Sequence, residues 1–285
     1  MNASAFRSTS QEAAAAQHAA LESMLRNMGE LAVAVSGGVD SLTLAALAHR
    51  VLGNRVSMFH AVSPAVPAEA TQRTRELAAR EGWALTVLDA HEFESGDYIS
   101  NPLNRCFYCK SKLYGAIRPH TSAQIASGTN LDDLGEYRPG LIAAEEHGVR
   151  HPFVEAQIGK QGVRWISRQL GLGEVAELPA SPCLSSRIET GIAIDPLMLG
   201  CVHESERLVG RELAPKTVRC RVRAGGVVIE LDEASLAALH PARRLALADR
   251  IKALFVRAQF EFDVTFETYR VGSAFLHFTK PGACR

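Results

Sequence analysis

Ser36-Gly37-Gly38-Val39-Asp40-Ser41 puts two hydroxyls, two adjacent glycines and one carboxylate into six residues. The run before it, Leu31-Ala32-Val33-Ala34-Val35, is apolar and has the length of a buried parallel strand. After it, Leu42, Leu44, Ala45, Leu47 and Ala48 recur at helical spacing. Gly37 and Gly38 allow a sharp turn and let backbone N–H groups approach a ligand with no Cβ in the way. A helix beginning near Ser41 aims its free N–H groups and its positive dipole end at the same point. Ser36 and Ser41 add hydroxyl donors. Phosphate is the ligand for such a turn. The loop is too short for G-x-x-x-x-G-K-[ST] and carries no Lys at its end, which excludes a Walker A site. Taken as six residues alone, it also reads as a plain Gly turn between strand and helix.

The elements that must position this turn follow from periodicity. Residues 1–10 are small and polar, and we expect them to be disordered. Gln11 to Met28 reads as a packing helix, with Leu21, Met24, Leu25 and Met28 on one face. Further strands are expected at Arg55–Val62, Ala84–Leu88, Gln124–Ala126 and Val149–Val154. Helices are expected at Ala68–Glu81, Cys106–Ile117, Arg138–Glu146 and Gly162–Leu170. Strands alternating with helices make a doubly wound parallel sheet of the α/β class, in which ligands bind at the carboxyl ends of the strands. Beyond Leu172 the pattern changes. Leu178 to Ile192 is loop-like. A helix from Pro196, strands at Thr217–Arg223 and Val227–Leu231 around Gly225-Gly226, helices over Glu233–Ala258 and a strand at Phe260–Phe266 follow. We therefore expect an N-terminal tail and helix (1–29), a nucleotide domain (30–190) and a smaller C-terminal α+β domain for substrate or oligomerisation (191–285).

The 285 residues contain 31 Lys+Arg and 31 Asp+Glu, so no net field steers the chain to nucleic acid or an anionic membrane. No stretch approaches the ~18–20 apolar residues of a membrane helix. Met1 to Ala20 lacks a positive segment followed by an apolar one, as a secretory signal requires. These features place the chain in the cytoplasm, where its six cysteines are expected to be reduced. Cys201, Cys220 and Cys284 sit singly and read as small buried or incidental residues.

Ser-Gly-Gly-x-Asp-Ser resembles the pyrophosphate loop of the PP-loop ATP pyrophosphatases, whose fold is adenine nucleotide alpha hydrolase-like and which split ATP between its α and β phosphates. The resemblance implies that Ser36 to Ser41 bind ATP and that Asp40 helps hold Mg²⁺. Four further stretches narrow it. They are Asn104-Arg105-Cys106-Phe107-Tyr108-Cys109-Lys110, Gly128-Thr129-Asn130-Leu131-Asp132-Asp133 with Arg138-Pro139-Gly140, Ser181-Pro182-Cys183-Leu184-Ser185-Ser186-Arg187, and Arg221-Val222-Arg223. In this order they resemble the LarE family of ATP-dependent sacrificial sulfur transferases. That family adenylylates a carboxylate of a pyridinium mononucleotide and converts it to a thiocarboxylate, on the way to the nickel-pincer nucleotide cofactor. The resemblance implies that Gly128 and Asn130 contact ATP, that Asp132, with Asp133 beside it, joins Asp40 on Mg²⁺, and that Lys160 assists the leaving pyrophosphate; from the residues alone, an Asx turn ending a strand and an exposed loop Lys are the alternatives. It also implies that Arg187, Arg221 and Arg223 bind the phosphate or carboxylates of the substrate. The strand 227–230 lacks the Arg expected there, which leaves Glu206 and Glu230 without assigned roles. The implied partners are a small-molecule mononucleotide and further copies of the chain, with no membrane and no nucleic acid. Other acceptors, in a tRNA-thiolating or an ammonia-using PP-loop enzyme, are the alternatives.

Cys183 lies in a Pro/Ser loop rather than an apolar run, which argues against a core thiol. In the family the matching Cys either gives up its own sulfur, leaving dehydroalanine, or joins two others on an iron–sulfur cluster. Cys106 and Cys109 supply two further thiolates, the usual ligands of a [4Fe-4S] centre, and three of them leave one iron open for sulfide. We expect the three to converge on such a cluster. A Cys₃ zinc site completed by His60, His91 or His151 is the structural alternative.

Overall fold

The computed structural model describes residues 3–135, 138–180, 182–270 and 272–274. Ser181, Cys284 and the end of the expected C-terminal domain lie outside them. Helix α1 runs over Ala3–Asn27. Its start is earlier than the expected Gln11 and takes in most of the segment expected to be disordered. No Gly or Pro interrupts the sequence before Gly29, and the Ala-rich stretch has the highest helix propensity available.

The chain forms two compact units, one of residues 1–92 and 106–181, the other of 93–105 and 182–285. The division falls at 181/182 rather than near 190, and a short insertion from the first half goes with the second unit. The hydrogen bonds of Asn101 explain why. Its side-chain amide donates to the carbonyls of Glu189 and Ile192, at 2.8 and 2.9 Å, and its Oδ1 accepts from the buried Arg105. Tyr98 and Ser185 share a further bond of 2.6 Å.

In the first unit, β1 (Leu31–Ala34), α2 (Val39–Leu52), β2 (Val56–Val62), α3 (Ala68–Glu81), β3 (Ala84–Asp89), α4 (Arg105–Ile117), β4 (Gln124–Ser127), α5 (Pro139–Glu146) and α6 (Lys160–Gln169) follow one another. The strands are parallel, in the order β3-β2-β1-β4. Side chains of β1 alternate between two cores. Leu31, Val33 and Val35 face α1, α2 and α6, while Ala32 and Ala34 face Tyr114 and Ile117 of α4. Helices thus cover both faces, as a doubly wound sheet requires. The expected fifth strand is one bridge, Ala126 to Arg150. Pro152 has no N–H for a ladder and instead opens the single-turn helix Pro152–Glu155.

In the second unit, helix α7 (Pro196–Leu213) precedes the antiparallel hairpin of β5 (Val218–Arg223) and β6 (Gly226–Leu231). Helix α8 (Pro241–Arg257) leads to β7 (Val264–Thr268), which pairs parallel to β6. The last strand begins later than Phe260, because the Phe262 ring packs edge-on against Phe255 of α8 and stacks on Phe260.

Candidate active site

Strand order locates the nucleotide site. The chain moves outward from β1 to β2 and β3, then returns to add β4 on the other side of β1. The switch point lies between the carboxyl ends of β1 and β4, where ligands bind in open α/β sheets. The turns that leave those two ends are the Ser36–Ser41 and Gly128–Asp133 stretches.

The two turns touch closely. A Cβ on Gly128 would stand 2.6 Å from the backbone nitrogen of Ser41, so only glycine fits. Gly37 has φ +79°, and a Cβ there would meet the Ala70 carbonyl at 2.6 Å. Ser41 is buried. Its hydroxyl accepts from the Ser36 N–H at 3.0 Å and lies 3.2 Å from the Gly38 carbonyl. Ser41 therefore closes the turn, and Ser36 keeps the exposed hydroxyl. Gly38 is the N-cap of α2 and offers no side-chain acceptor to the first amides of the helix, which stay available to an anion.

Asp40, Asn130 and Lys160 meet here from positions 90 and 120 residues apart. Asn130 Nδ2 donates to Asp40 Oδ1 at 3.1 Å, and Lys160 Nζ donates to Asp40 Oδ2 at 2.5 Å. Asn130 is buried and is itself held, because its Oδ1 accepts from the Asp132 N–H and its N–H donates to Asp133 Oδ2. Asp132 accepts from the Lys160 N–H at 2.8 Å and so caps α6, while Asp133 pairs with Arg138. A half-exposed Asp40 carboxylate beside a phosphate turn suits Mg²⁺, which takes carboxylate and phosphate oxygens with water. One oxygen of Asp132 is engaged at a helix end instead.

Arg73, which no motif singled out, and His60, offered above only as a zinc ligand, complete this region. Arg73 of α3 donates to the Gly37 carbonyl at 2.7 Å. His60 of β2 is fully buried, with Nδ1 2.8 Å from the Val35 carbonyl and Nε2 2.9 Å from Thr71 Oγ1. A carbonyl only accepts, so Nδ1 carries the proton and Nε2 accepts from Thr71. That arrangement needs a neutral ring. Burial, with Arg75 adding to it, holds the imidazole below its ordinary value. The unfolded chain binds this proton below about pH 6.5 and the folded chain resists it, so the contribution of His60 is fully present above that pH and falls away below it. We expect thermal unfolding midpoints to drop between pH 7 and 5.5, and to drop less in His60→Asn, which keeps a donor for Val35 and cannot titrate. Equal drops in both proteins would remove His60 from this role. His151, also held below its ordinary value by burial, joins Ser127 and Thr129 in a chain of hydrogen bonds after β4.

Cys183, Arg187, Arg221 and Arg223 belong to the second unit. Cys183 is an exposed free thiol at the start of the turn Leu184–Arg187. Arg187 is only 2% exposed. It grips both oxygens of Glu206, at 2.9 and 3.0 Å, and donates to the carbonyls of Pro182 and Cys183. Its fork is turned onto the protein, where it shapes the Cys183 loop. Arg221 donates to the fully buried Glu230 and to the Ser186 carbonyl. Arg223 bridges Glu230 and Glu267, and its Nε is buried with no hydrogen-bond partner. Arg219, on the same face of β5, lies over the Tyr269 ring. Removing one partner of such a buried pair costs roughly 3–5 kcal/mol, which makes Glu230 a stability residue as well. Cys201 and Cys220 are buried, and burial pushes both thiols up, which keeps them protonated.

Cys106 and Cys109 are half-buried on α4, in the first unit. Three thiols have the chemistry for a cluster. Among the described residues, however, no three His, Cys, Asp or Glu side chains gather to hold a metal ion. No described helix is long and apolar enough to cross a membrane.

No protein-family model matches the chain. It is 40% identical over 222 residues to an uncharacterized protein of Synechocystis sp., covering 74% of this chain and 82% of the relative. It is 31% identical over 230 residues to the pyridinium-3,5-bisthiocarboxylic acid mononucleotide synthase of Lactiplantibacillus plantarum, covering 78% and 82%. One component of the glutamine-hydrolyzing GMP synthase of Archaeoglobus fulgidus is 24% identical over 206 residues, covering 65% and 66%. With a phosphate turn at the switch point of a parallel sheet and this likeness to the mononucleotide synthase along most of both chains, the protein belongs to the LarE family, ATP-using enzymes of the PP-loop superfamily.

Proposed function

We propose that the protein transfers AMP from ATP to a carboxylate of a pyridinium mononucleotide and replaces an oxygen of that carboxylate with sulfur. The observation that carries this reading is the meeting of Asp40, Asn130 and Lys160 at the phosphate turn. A carboxylate oxygen attacks the α-phosphorus, the bond to the bridging oxygen breaks, and pyrophosphate leaves. The turn amides, the Ser36 hydroxyl and Lys160 bind the departing charge, while Gly128 and Asn130 border the nucleotide. Mg²⁺, held by Asp40 with Asp132 as the further carboxylate, would neutralise phosphate charge when bound. Before that, the Lys160 ammonium neutralises Asp40.

The mixed anhydride is then open to sulfur. The Cys183 thiolate attacks the acyl carbon and expels AMP, giving a thioester. Loss of the Cys183 α-proton with cleavage of its Cβ–S bond releases the thiocarboxylate and leaves dehydroalanine. The exposure of Cys183 and its loop-shaping contacts with Arg187 support this role. The half-buried Arg219 and Arg223 of β5 offer cationic groups to the phosphate and carboxylates of the substrate, and the buried Arg221 holds Glu230 behind them. This route needs one thiol, that of Cys183, and no step in it passes through a cluster. Further use of the product, in making a nickel-pincer nucleotide, and a cytoplasmic setting for these thiols belong to the same proposal.

The test supplies ATP, Mg²⁺ and a pyridinium mononucleotide carrying carboxylates. We expect pyrophosphate release that depends on the mononucleotide, and a product in which sulfur replaces one oxygen by mass. Release that ignores the mononucleotide, or a product that gains nitrogen from ammonia, would overturn the substrate assignment.

A further inference from the structure

Arg73 sits on α3, 36 positions beyond the residue whose carbonyl it holds, and no sequence motif marks it. The bond to Gly37 oxygen is 2.7 Å, and the side chain is half-buried. A trans peptide points its C=O and the following N–H in opposite directions. Pulling the Gly37 carbonyl toward Arg73 therefore turns the Gly38 N–H to the other side of the loop. Among the described residues that N–H has no protein acceptor. The Gly38 carbonyl, by contrast, accepts from Leu42 N–H and lies within bonding distance of the Ser41 hydroxyl, so the next peptide is anchored from within the helix.

The peptide between two glycines is the one in this loop least restrained by its own side chains. With no Cβ on either side, it rotates between orientations at little cost. Rotation would present a carbonyl oxygen where an amide should meet phosphate, exchanging attraction for repulsion. A Walker A loop carries a Lys of its own on the phosphates, and this loop ends without one. The restraint comes instead from outside, through a charge-assisted bond to the carbonyl.

We infer that Arg73 is a positioning residue for ATP, holding the Gly37–Gly38 peptide so that the Gly38 amide faces the β and γ phosphates. This rests on the assignment of the turn to ATP given above. It adds a residue outside the loop on which anion binding depends.

The test uses the full chain labelled with ¹⁵N-glycine, Arg73→Met and Arg73→Lys variants, and calorimetric titration with ATP, AMP and inorganic pyrophosphate in Mg²⁺. In the wild type, pyrophosphate should shift the Gly38 amide resonance. Arg73→Met should weaken pyrophosphate and ATP about ten-fold or more, the scale of a lost charged hydrogen bond. AMP, which lacks the β and γ phosphates, should bind as before. Arg73→Lys, able to donate to the same carbonyl, should recover most of the loss, and thermal midpoints should match the wild type. Arg73→Lys is also the reporter if Arg73→Met does not fold. Unchanged pyrophosphate affinity in Arg73→Met, an equal loss of AMP, a lysine variant no better than methionine, or a Gly38 amide indifferent to pyrophosphate would each overturn the inference. A wild type that binds neither ATP nor pyrophosphate removes the ATP assignment itself. Wild-type binding with an unaffected Arg73→Met removes only the role of Arg73.

Discussion

Asp40→Asn is expected to slow pyrophosphate release by about 10²-fold or more, the scale on which preorganised electrostatic groups act. The carboxylate is the negative centre of the phosphate turn, and Asn130 and Lys160 both address it. Asparagine keeps the shape and one acceptor oxygen but removes the charge that attracts Mg²⁺ and offsets the Lys160 ammonium. The fold should persist, because the side chain lies at the mouth of the loop and outside both cores of the unit. The measurement is single-turnover pyrophosphate release with ATP and the mononucleotide, alongside thermal unfolding. Release at the wild-type rate by a folded Asp40→Asn protein would take the ATP chemistry away from this turn. Without nucleotide, the same variant should lose most of its Mn²⁺ binding, a readout independent of turnover.

Cys183→Ser should abolish sulfur transfer while pyrophosphate release persists. The two outcomes separate because the first bond change uses ATP and a carboxylate, and only the second needs a thiol. In the variant the acyl-adenylate should accumulate, or be lost to water as AMP and the starting acid. The wild-type protein gives the complementary result. After turnover its mass should fall by the elements of H₂S, located at Cys183 by peptide mapping. Thiocarboxylate formed by Cys183→Ser, or many products per wild-type chain with Cys183 intact, would end the sacrificial reading. The second result would direct attention to Cys106 and Cys109. Anaerobic preparation with iron and sulfide, followed by iron analysis, would then show whether those thiols hold a cluster. Cys201 and Cys220 are not expected to substitute, because burial keeps their thiols protonated and out of reach.

The sequence by itself determined the parts whose physics is local. The apolar run at Leu31, the glycine pair and the helical spacing after Ser41 together specify a strand, a tight turn and a helix, because backbone freedom and side-chain period act over a few residues. Gly82 and Pro139 mark helix ends for the same reason, one in the left-handed region at a C-terminus and the other at a first turn. Tertiary structure alone decided where the long side chains go. The family resemblance implies a substrate clamp at Arg187, and the fold shows which protein groups its fork meets, Glu206 and the Cys183 loop. The resemblance implies a metal ligand at Asp132, and only the fold shows that one of its oxygens also caps α6. Strand order, which no periodicity encodes, brought Asn130 and Lys160 to Asp40 and set the switch point between β1 and β4. Arg73 carried no readable signal and His60 was legible only as a possible zinc ligand, because their worth lies in carbonyls that become neighbours only after the sheet has formed. A hydrogen bond is chosen by distance in space, and for these residues that distance is unrelated to separation along the chain.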